Sequence, residues 1–356
     1  MVKNKIFQYF FLEFFKIFIL VSLSLSVLIW MTQAARLLEL ITEFGNPVEI
    51  YVKYLVLSYA KILDNTILLC FLISMFFLFA KFENSNEIGI YWLSGVSKFK
   101  IFKISLIIAA IVIFFNLILS IFIAPWSSSK GRVTLSESKF SLINSLVKEK
   151  NFNSPLKGLT IYVEENDKNG NLEGIFIYEK TRTIIAEKGR VLTNKNGSYL
   201  ELSKGVTQEK VGENINFINF NSTIFDFSKY QLQNVGHPKF NERDIFWLKN
   251  TLKDKKIKKI NEIREEINKR IIKPFFILIS CVMSCFLLYT NNEKINLKKL
   301  RFVTYTFSIL TLIFNQALLG ISGKSFYHSI AYVITLIILF LILTISLNFF
   351  LKSEAK

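Results

Sequence analysis

The chain has 356 residues, 51% of them hydrophobic with 36 Phe, and a formal net charge of +17. Its apolar residues are gathered into long blocks, which excludes a soluble globular enzyme, and its basic residues sit in short loops between those blocks, which argues against nucleic-acid binding. The three cysteines, Cys70, Cys281 and Cys285, all lie inside apolar blocks, so whatever folds outside the membrane must do so without disulfides.

A helix needs about 18 or more apolar residues to cross the hydrocarbon core. Six blocks are candidates: Ile17–Met31, Thr66–Ala80 extended backwards to about Tyr54, Ile104–Ala124, Ile271–Tyr289, Phe302–Ile321 and Ile330–Leu351. Ser22, Ser24 and Ser26 dilute the first, but hydroxyls bond back to helix carbonyls and are compatible with a span. Lys3, Lys5 and Lys16 before this block and Ala34–Ala35 after it also fit a cleaved signal peptide. Against that reading, no small-x-small triplet follows and "RLLELI" continues the block as helix. In the second block, Lys61 and Asp64 stand one turn apart and are expected to form a local intramembrane ion pair.

"NSNEIGIYWLSGVSKFK" (Asn84–Lys100) follows the second block. Asn84 can cap a helix, Glu87 three residues on completes a capping-box-like pair, and Gly95 offers a left-handed stop. Ile88, Tyr91 and Trp92 fall on adjoining helical positions. Two readings are open: an interfacial helix with its aromatics at the headgroups, or a coupling helix that docks on a cytoplasmic ATPase.

From about Pro125 to Arg270 the pattern changes from continuous to alternating. Leu159–Glu165, Gly174–Lys180, Thr181–Gly189, Arg190–Asn194, Tyr199–Gly205 and Ile215–Phe227 read as strands, and Asn169–Gly170 and Asn196–Gly197 as tight hairpins. Such spacing predicts a sandwich or open barrel rather than a βαβ fold. Two helical pieces bracket the strands, "SESKFSLINSLVKEK" and a longer one that runs into the fourth block with Pro274 near the junction. The basic run Lys253–Lys259 reads as a solvated helix face.

No catalytic constellation is expected. His237 and His328 stand far apart without a motif, and no metal-ligand spacing appears. "LLGISGKS" lacks the first glycine of a phosphate-cradling loop, with Leu318 in its place. Lys and Arg concentrate in alternate loops and ends (Lys3, Lys5 and Lys16; Lys81, Lys98, Lys100 and Lys103; Lys294, Lys298, Lys299 and Arg301; Lys352 and Lys356), whereas the other short loops carry Arg36, Lys53 and Lys324. The expectation is a multi-pass inner-membrane protein with both termini cytoplasmic and the strand-rich segment outside.

"NEIGIYWLSGVS" resembles the element after the second span of the LptF/LptG permeases of the lipopolysaccharide export transporter, matching at Glu87, Gly95 and Ser97, with Asn86 and Tyr91 departing from the usual residues. "WMTQAARLLELITEFG" is similar to the end of that family's first span, with Arg36 at an expected basic place. "APWSSSKGR" resembles the form seen in LptF chains, and Glu266, Arg270 and Pro274 match the approach to the fourth span. A proline often found inside the second span is absent, Leu68 standing there.

The resemblance implies a membrane α-helical fold of six transmembrane helices with an inserted periplasmic all-β jellyroll-like domain. The expected division is 1–124 (spans one to three, coupling helix at about 84–97), 125–270 (jellyroll) and 271–356 (spans four to six). It also implies a non-catalytic permease subunit that binds no cofactor, ATP being used by an LptB-type ATPase dimer. The other implied partners are a second LptF/LptG-type permease, an LptC-type membrane-anchored jellyroll protein and lipopolysaccharide. Glu87, Ile88, Tyr91, Trp92 and Gly95 are the expected ATPase-coupling residues. Arg36 and Lys324 are the candidates for lipid phosphate, and Ile215, Phe217, Phe220, Phe225 and Phe227 for the lipid groove. From the residues alone, another mechanically coupled transporter and a membrane-anchored binding or sensory protein stay open.

Overall fold

The computed structural model describes residues 2–38, 48–134, 150–156, 158–167, 171–179, 182–194, 197–211, 214–226, 238–252, 259–288 and 297–353. Among the described residues, six helices are long and apolar enough to cross a membrane. They are span 1 (Val2–Leu37), span 2 (Val48–Asn84), span 3 (Lys98–Thr134), span 4 (Ile260–Leu288), span 5 (Leu297–Ser322) and span 6 (Phe326–Ser353). A seven-residue helix, Glu87–Leu93, separates spans 2 and 3. The chain divides into two compact units: Met1–Met31 with Ser58–Ser129 and Lys239–Lys356, and Thr32–Leu57 with Lys130–Pro238.

The helical unit is organised by phenylalanine. Phe10, Phe14, Phe71, Phe79 and Phe82 are fully buried, and ring pairs such as Phe10–Phe82 (5.4 Å) and Phe14–Phe71 (5.5 Å) hold span 1 to span 2. Spans 2 and 4 are the interior, with 56% and 67% of their most apolar windows buried. Spans 1, 5 and 6, at 17%, 22% and 17%, leave rows of Leu, Ile and Phe uncovered, as lipid or another membrane protein requires.

Two proline effects shape the bundle. The third apolar block was expected to end at Ala124, but the helix runs on to Thr134. Pro125 offers no N–H and would clash with the carbonyl one turn back, and the helix widens into a π turn over Leu119–Ile123 just before it. Span 4 breaks in the same way: Ile260–Ile271 gives way to a 3₁₀ turn, Lys273–Phe275, around Pro274 before Phe276–Cys285 resumes. The long helix expected ahead of it is represented by Ile245–Thr251 and Ile260–Ile271; Lys253–Lys258 and most of "SESKFSLINSLVKEK" lie outside the described residues.

The second unit holds one antiparallel sheet in which each described strand pairs with its chain neighbour: β1 (Asn153–Leu156), β2 (Leu159–Asp167), β3 (Asn171–Glu179), β4 (Arg182–Asn194), β5 (Gly197–Val211) and β6 (Asn214–Asp226). β1 had no counterpart in the sequence reading. The expected hairpins are flanked by the pairs Asp167↔Asn171 and Asn194↔Gly197, with Asn169, Gly170 and Asn196 themselves outside the described residues. Within the same unit, Tyr51 donates to the Ala34 carbonyl at 2.8 Å, joining the ends of spans 1 and 2.

Pairing is interrupted along a single transverse line. The ladders skip Glu164 opposite Gly174, Gly174 opposite Glu187, Glu187 opposite Lys204, and Lys204 opposite Asn221. Gly174 (φ 62°) and Lys204 (φ 51°) take left-handed backbone on this line. Inward-facing residues change parity across it: Leu172 against Ile175 and Ile177 on β3, and Gly189 against Ile184 and Ala186 on β4, where Glu187 and Lys188 are both exposed. The alternation therefore slips by one, which is why Thr181–Gly189 and Arg190–Asn194 read as two strands when they are one. The crease keeps one apolar face, built on Leu159, Ile161, Ile177, Leu200, Leu202 and Phe225, continuous over the bend.

Gly205 beside the crease has no room for a side chain: a Cβ would lie 2.3 Å from the Ile185 carbonyl oxygen and 2.5 Å from the Phe220 ring. At Gly189 the tightest neighbour is the mobile end of Ile175, also at 2.3 Å. Gly205→Ala is expected to cost about 1–3 kcal/mol and Gly189→Ala less than about 1 kcal/mol. Amide hydrogen exchange of β4–β6 in the full chain checks this, and equal loss of protection in both variants would contradict it.

Candidate functional site

The short helix is bolted to the bundle by one side. Ile88 is buried in the phenylalanine core, and Tyr91 and Trp92 are half-buried against it, Tyr91 edge-on to Phe82 at 6.3 Å. The Lys98 ammonium sits 4.1 Å from the centre of the Trp92 ring. Burial, with Glu87 and Tyr9 nearby, pushes the Tyr91 hydroxyl up to about 12, so it stays neutral at any physiological pH. Gly95, at φ 75°, makes the expected left-handed stop, its N–H donating to Trp92 O while the Val96 N–H donates to Tyr91 O.

The N-terminus differs from expectation. Asn84 ends span 2, and the capping position belongs to Asn86 in left-handed backbone (φ 56°) with no side-chain cap. Glu87 faces backwards instead: Ser85 Oγ donates to its carboxylate at 2.9 Å and Tyr9 Oη at 3.3 Å. The residues presented outward are Ile90, 58% exposed, and Leu93, 92% exposed. Neither is among the expected coupling residues, because apolar residues occupy every side of this helix and no periodicity marks the face that packs.

Toward the other end of span 2, the interior is charged. Lys61, Asp64, Ser120, Glu266, Lys269 and Arg270 line a narrow cleft of about 10 Å³, with Ser120 delivered by the π turn. The charges facing Asp64 are Lys273 and Lys269 of span 4, rather than the Lys61 that its spacing suggested. Arg270, 2% exposed, donates to Glu266 Oε1 (2.8 Å), Arg243 O (2.7 Å) and Phe240 O (3.1 Å). It pins the chain arriving at Phe240–Arg243 onto span 4. The Glu266/Arg270 spacing, one helical turn, was legible; the two carbonyls were not.

The "LLGISGKS" segment is a helix–turn–helix packed on span 4. A Cβ at Gly323 would lie 2.5 Å from the Asn261 carbonyl oxygen, Arg264 Nη1 donates to Gly323 O, and Asn268 Nδ2 bridges Ser322 and Ser329. His328 Nδ1 meets Ser325 Oγ at 2.7 Å, and the same oxygen accepts the His328 N–H at the start of span 6. That is a helix cap, and His237 lies outside the described residues. Lys324 in this turn and Arg36 in the last turn of span 1 are each exposed.

In the sheet, Phe225 is buried in the apolar face and Phe220 is half-buried against it, whereas Ile215 and Phe217 are exposed on the opposite face. Phe227 lies outside the described residues. A cavity of about 730 Å³ lies on the far side of the crease and is lined mainly by charged and polar residues, among them Glu165, Asp167, Glu173, Lys188 and Arg190, so it does not suit acyl chains.

The sequence profile described as "Lipopolysaccharide export system permease LptF/LptG" matches residues 8–351. The chain belongs to the LptF/LptG family. It is also 25% identical over 327 residues to "Uncharacterized protein RP871" of Rickettsia prowazekii (strain Madrid E), covering 87% of this chain and 88% of that protein. As an LptF/LptG permease it is a multi-pass, non-catalytic membrane subunit of lipopolysaccharide export, with a β-sheet domain inserted between helices.

In this LptF/LptG permease, Arg270 is a buried charge committed to three acceptors. Arg270→Met leaves Glu266 and two carbonyls without their donor and is expected to cost about 3–5 kcal/mol, the usual penalty for breaking a buried pair from one side. Thermal unfolding of the detergent-purified chain checks this. A loss below about 1 kcal/mol would mean the network is not what holds Phe240–Arg243 to span 4.

Proposed function

We propose that the chain is an LptF-like subunit that pairs with a second LptF/LptG-type permease, both termini and the short helix being cytoplasmic and the sheet periplasmic. The division into 1–124, 125–270 and 271–356 follows the same reading. The basic ends flanking the short helix support the orientation, since short Lys-rich loops are retained in the cytoplasm. "APWSSSKGR" supports LptF over LptG.

One observation carries the mechanism: a short, stopped helix fixed by Ile88, Tyr91 and Trp92 to the span 1–span 2 core, with Leu93 and Ile90 left uncovered at its tip. Such a knob fits an apolar groove on an LptB-type ATPase dimer. Glu87, Tyr91, Trp92 and Gly95 set its geometry, and Ile90 and Leu93 make the contact. Closure of the ATPase pushes the knob, and the knob moves the spans around an apolar chamber between the two permeases. ATP is used by that partner alone.

Lipid expelled from the chamber needs cations for its phosphates and an apolar track for its chains. Arg36 and Lys324 supply the first in this reading. The apolar face of the sheet, with Phe220 and Phe225 on β6, supplies the second. β6, the last strand in the described sheet, passes the lipid on by strand addition to an LptC-type partner.

Two variants separate docking from anchoring. Leu93→Asp is expected to leave folding intact and reduce co-purification of the ATPase at least tenfold, with ATP-driven lipid release lost in proportion. Trp92→Ala is expected to lower thermal stability first. Full ATPase recovery with Leu93→Asp would contradict the proposal.

A further inference from the structure

We infer that two ion pairs at the foot of span 2, Glu83–Arg301 and Glu13–Lys81, carry the movement of the short helix outward to spans 5 and 1; this rests on the reading of that helix as the ATPase-docking element. The knob is joined to span 2 by only Ser85 and Asn86. Lys81 and Glu83 occupy the last turn of span 2, and two residues along a helix rotate a side chain by about 200°, so they face opposite ways.

Lys81 Nζ reaches Glu13 Oε2 on span 1 at 2.5 Å, and Lys16 holds the other oxygen, Oε1, at 3.0 Å. Glu83 pairs with Arg301 in the opening turns of span 5, 218 residues away in sequence. Beside them, Tyr9 of span 1 donates to Glu87 of the knob and stacks on Phe82 at 5.9 Å. The foot of span 2 is thus gripped from both sides.

What makes these contacts transmitters rather than ornaments is where they end. Spans 1 and 5 are two of the three least buried spans, with 17% and 22% of their windows covered. Span 1 packs on span 2 through Phe10 and Phe14, and span 5 meets it at Phe76–Tyr305 (4.5 Å); the ion pairs add a polar grip at the foot of span 2, which is 56% covered and sits in the interior with the knob. Glu13 is itself 8% exposed, so it cannot exchange Lys81 for water without leaving a carboxylate poorly solvated. Glu83 and Arg301 are partly sheltered, side chains 24% and 35% exposed, which puts their pair among those that geometry and desolvation strengthen over a freely solvated surface pair. These four side chains are assigned as positioning residues that act through spans 1, 2 and 5.

The test uses the complete transporter in proteoliposomes and reads lipid released per ATP hydrolysed. Glu83→Arg and Arg301→Glu, made singly, should bind the ATPase and hydrolyse ATP within about twofold of the unaltered complex, yet release at least fivefold less lipid per ATP. The double exchange should restore that ratio to within about twofold. Glu83→Gln and Arg301→Gln, which introduce no repulsion, should fall between, and Glu13→Gln should behave as they do. Unchanged lipid-per-ATP ratios in the single variants, or failure of the exchange to restore them, would overturn the inference. If the unaltered complex itself released lipid without ATP, the docking reading beneath it would fall instead.

Discussion

A helix of seven residues has no business being stable in water: an isolated helix below about 12–15 residues is marginal even with ideal composition. The one here exists because Ile88, Tyr91 and Trp92 are packed against the phenylalanine core of spans 1 and 2. The shape of the projection and the direction in which its side chains point both depend on that packing. It turns a connection between two spans into a rigid projection, fixes which residues point away, and makes any push on the projection a push on Phe82 and the spans behind it. Gly95 and the backward-facing Glu87 end the projection cleanly at both sides.

The opposite end of the same bundle solves a different problem. Charges inside a membrane protein persist only when they are paired or hydrogen-bonded. Arg270 satisfies this by binding Glu266 and two main-chain carbonyls. Together with the 5–6 turn pressed on Asn261, these contacts tie spans 4, 5 and 6 where the chain returns from the strand-rich insertion. At the other end, spans 1 and 5 are joined to the foot of span 2 by Glu13–Lys81 and Glu83–Arg301 as well as by ring contacts.

How much was legible in the sequence follows from which forces are local. Six spans and an inserted β domain could be read because continuous and alternating apolar patterns are periodic signals. The stop at Gly95 could be read because a left-handed residue is a property of one position. What could not be read depended on partners distant in the chain. Ile90 and Leu93 became the exposed tip only because Ile88, Tyr91 and Trp92 found Phe10, Phe79 and Phe82. The crease erased the two-residue rhythm at Glu187–Lys188 and so cut β4 in two on paper. Of the groove candidates on β6, Ile215 and Phe217 fall on one face and Phe220 and Phe225 on the other, because the parity changes at Asn221. Asp64, one turn from Lys61, lies instead under the influence of Lys273 and Lys269 of span 4 and the Ser120 hydroxyl of span 3, all distant in the chain.

The central claim is mechanical: displacement of the knob reaches the far end of the spans. The most direct measurement is the distance distribution between spin labels at Ser94, beside the knob's tip, and Tyr327, at the start of span 6, in the complete transporter. The account predicts a distribution that shifts between nucleotide-free and ATP-bound states when the ATPase is docked, and that stays fixed when it is absent. A distribution indifferent to nucleotide in a complex that nevertheless exports lipid would contradict it.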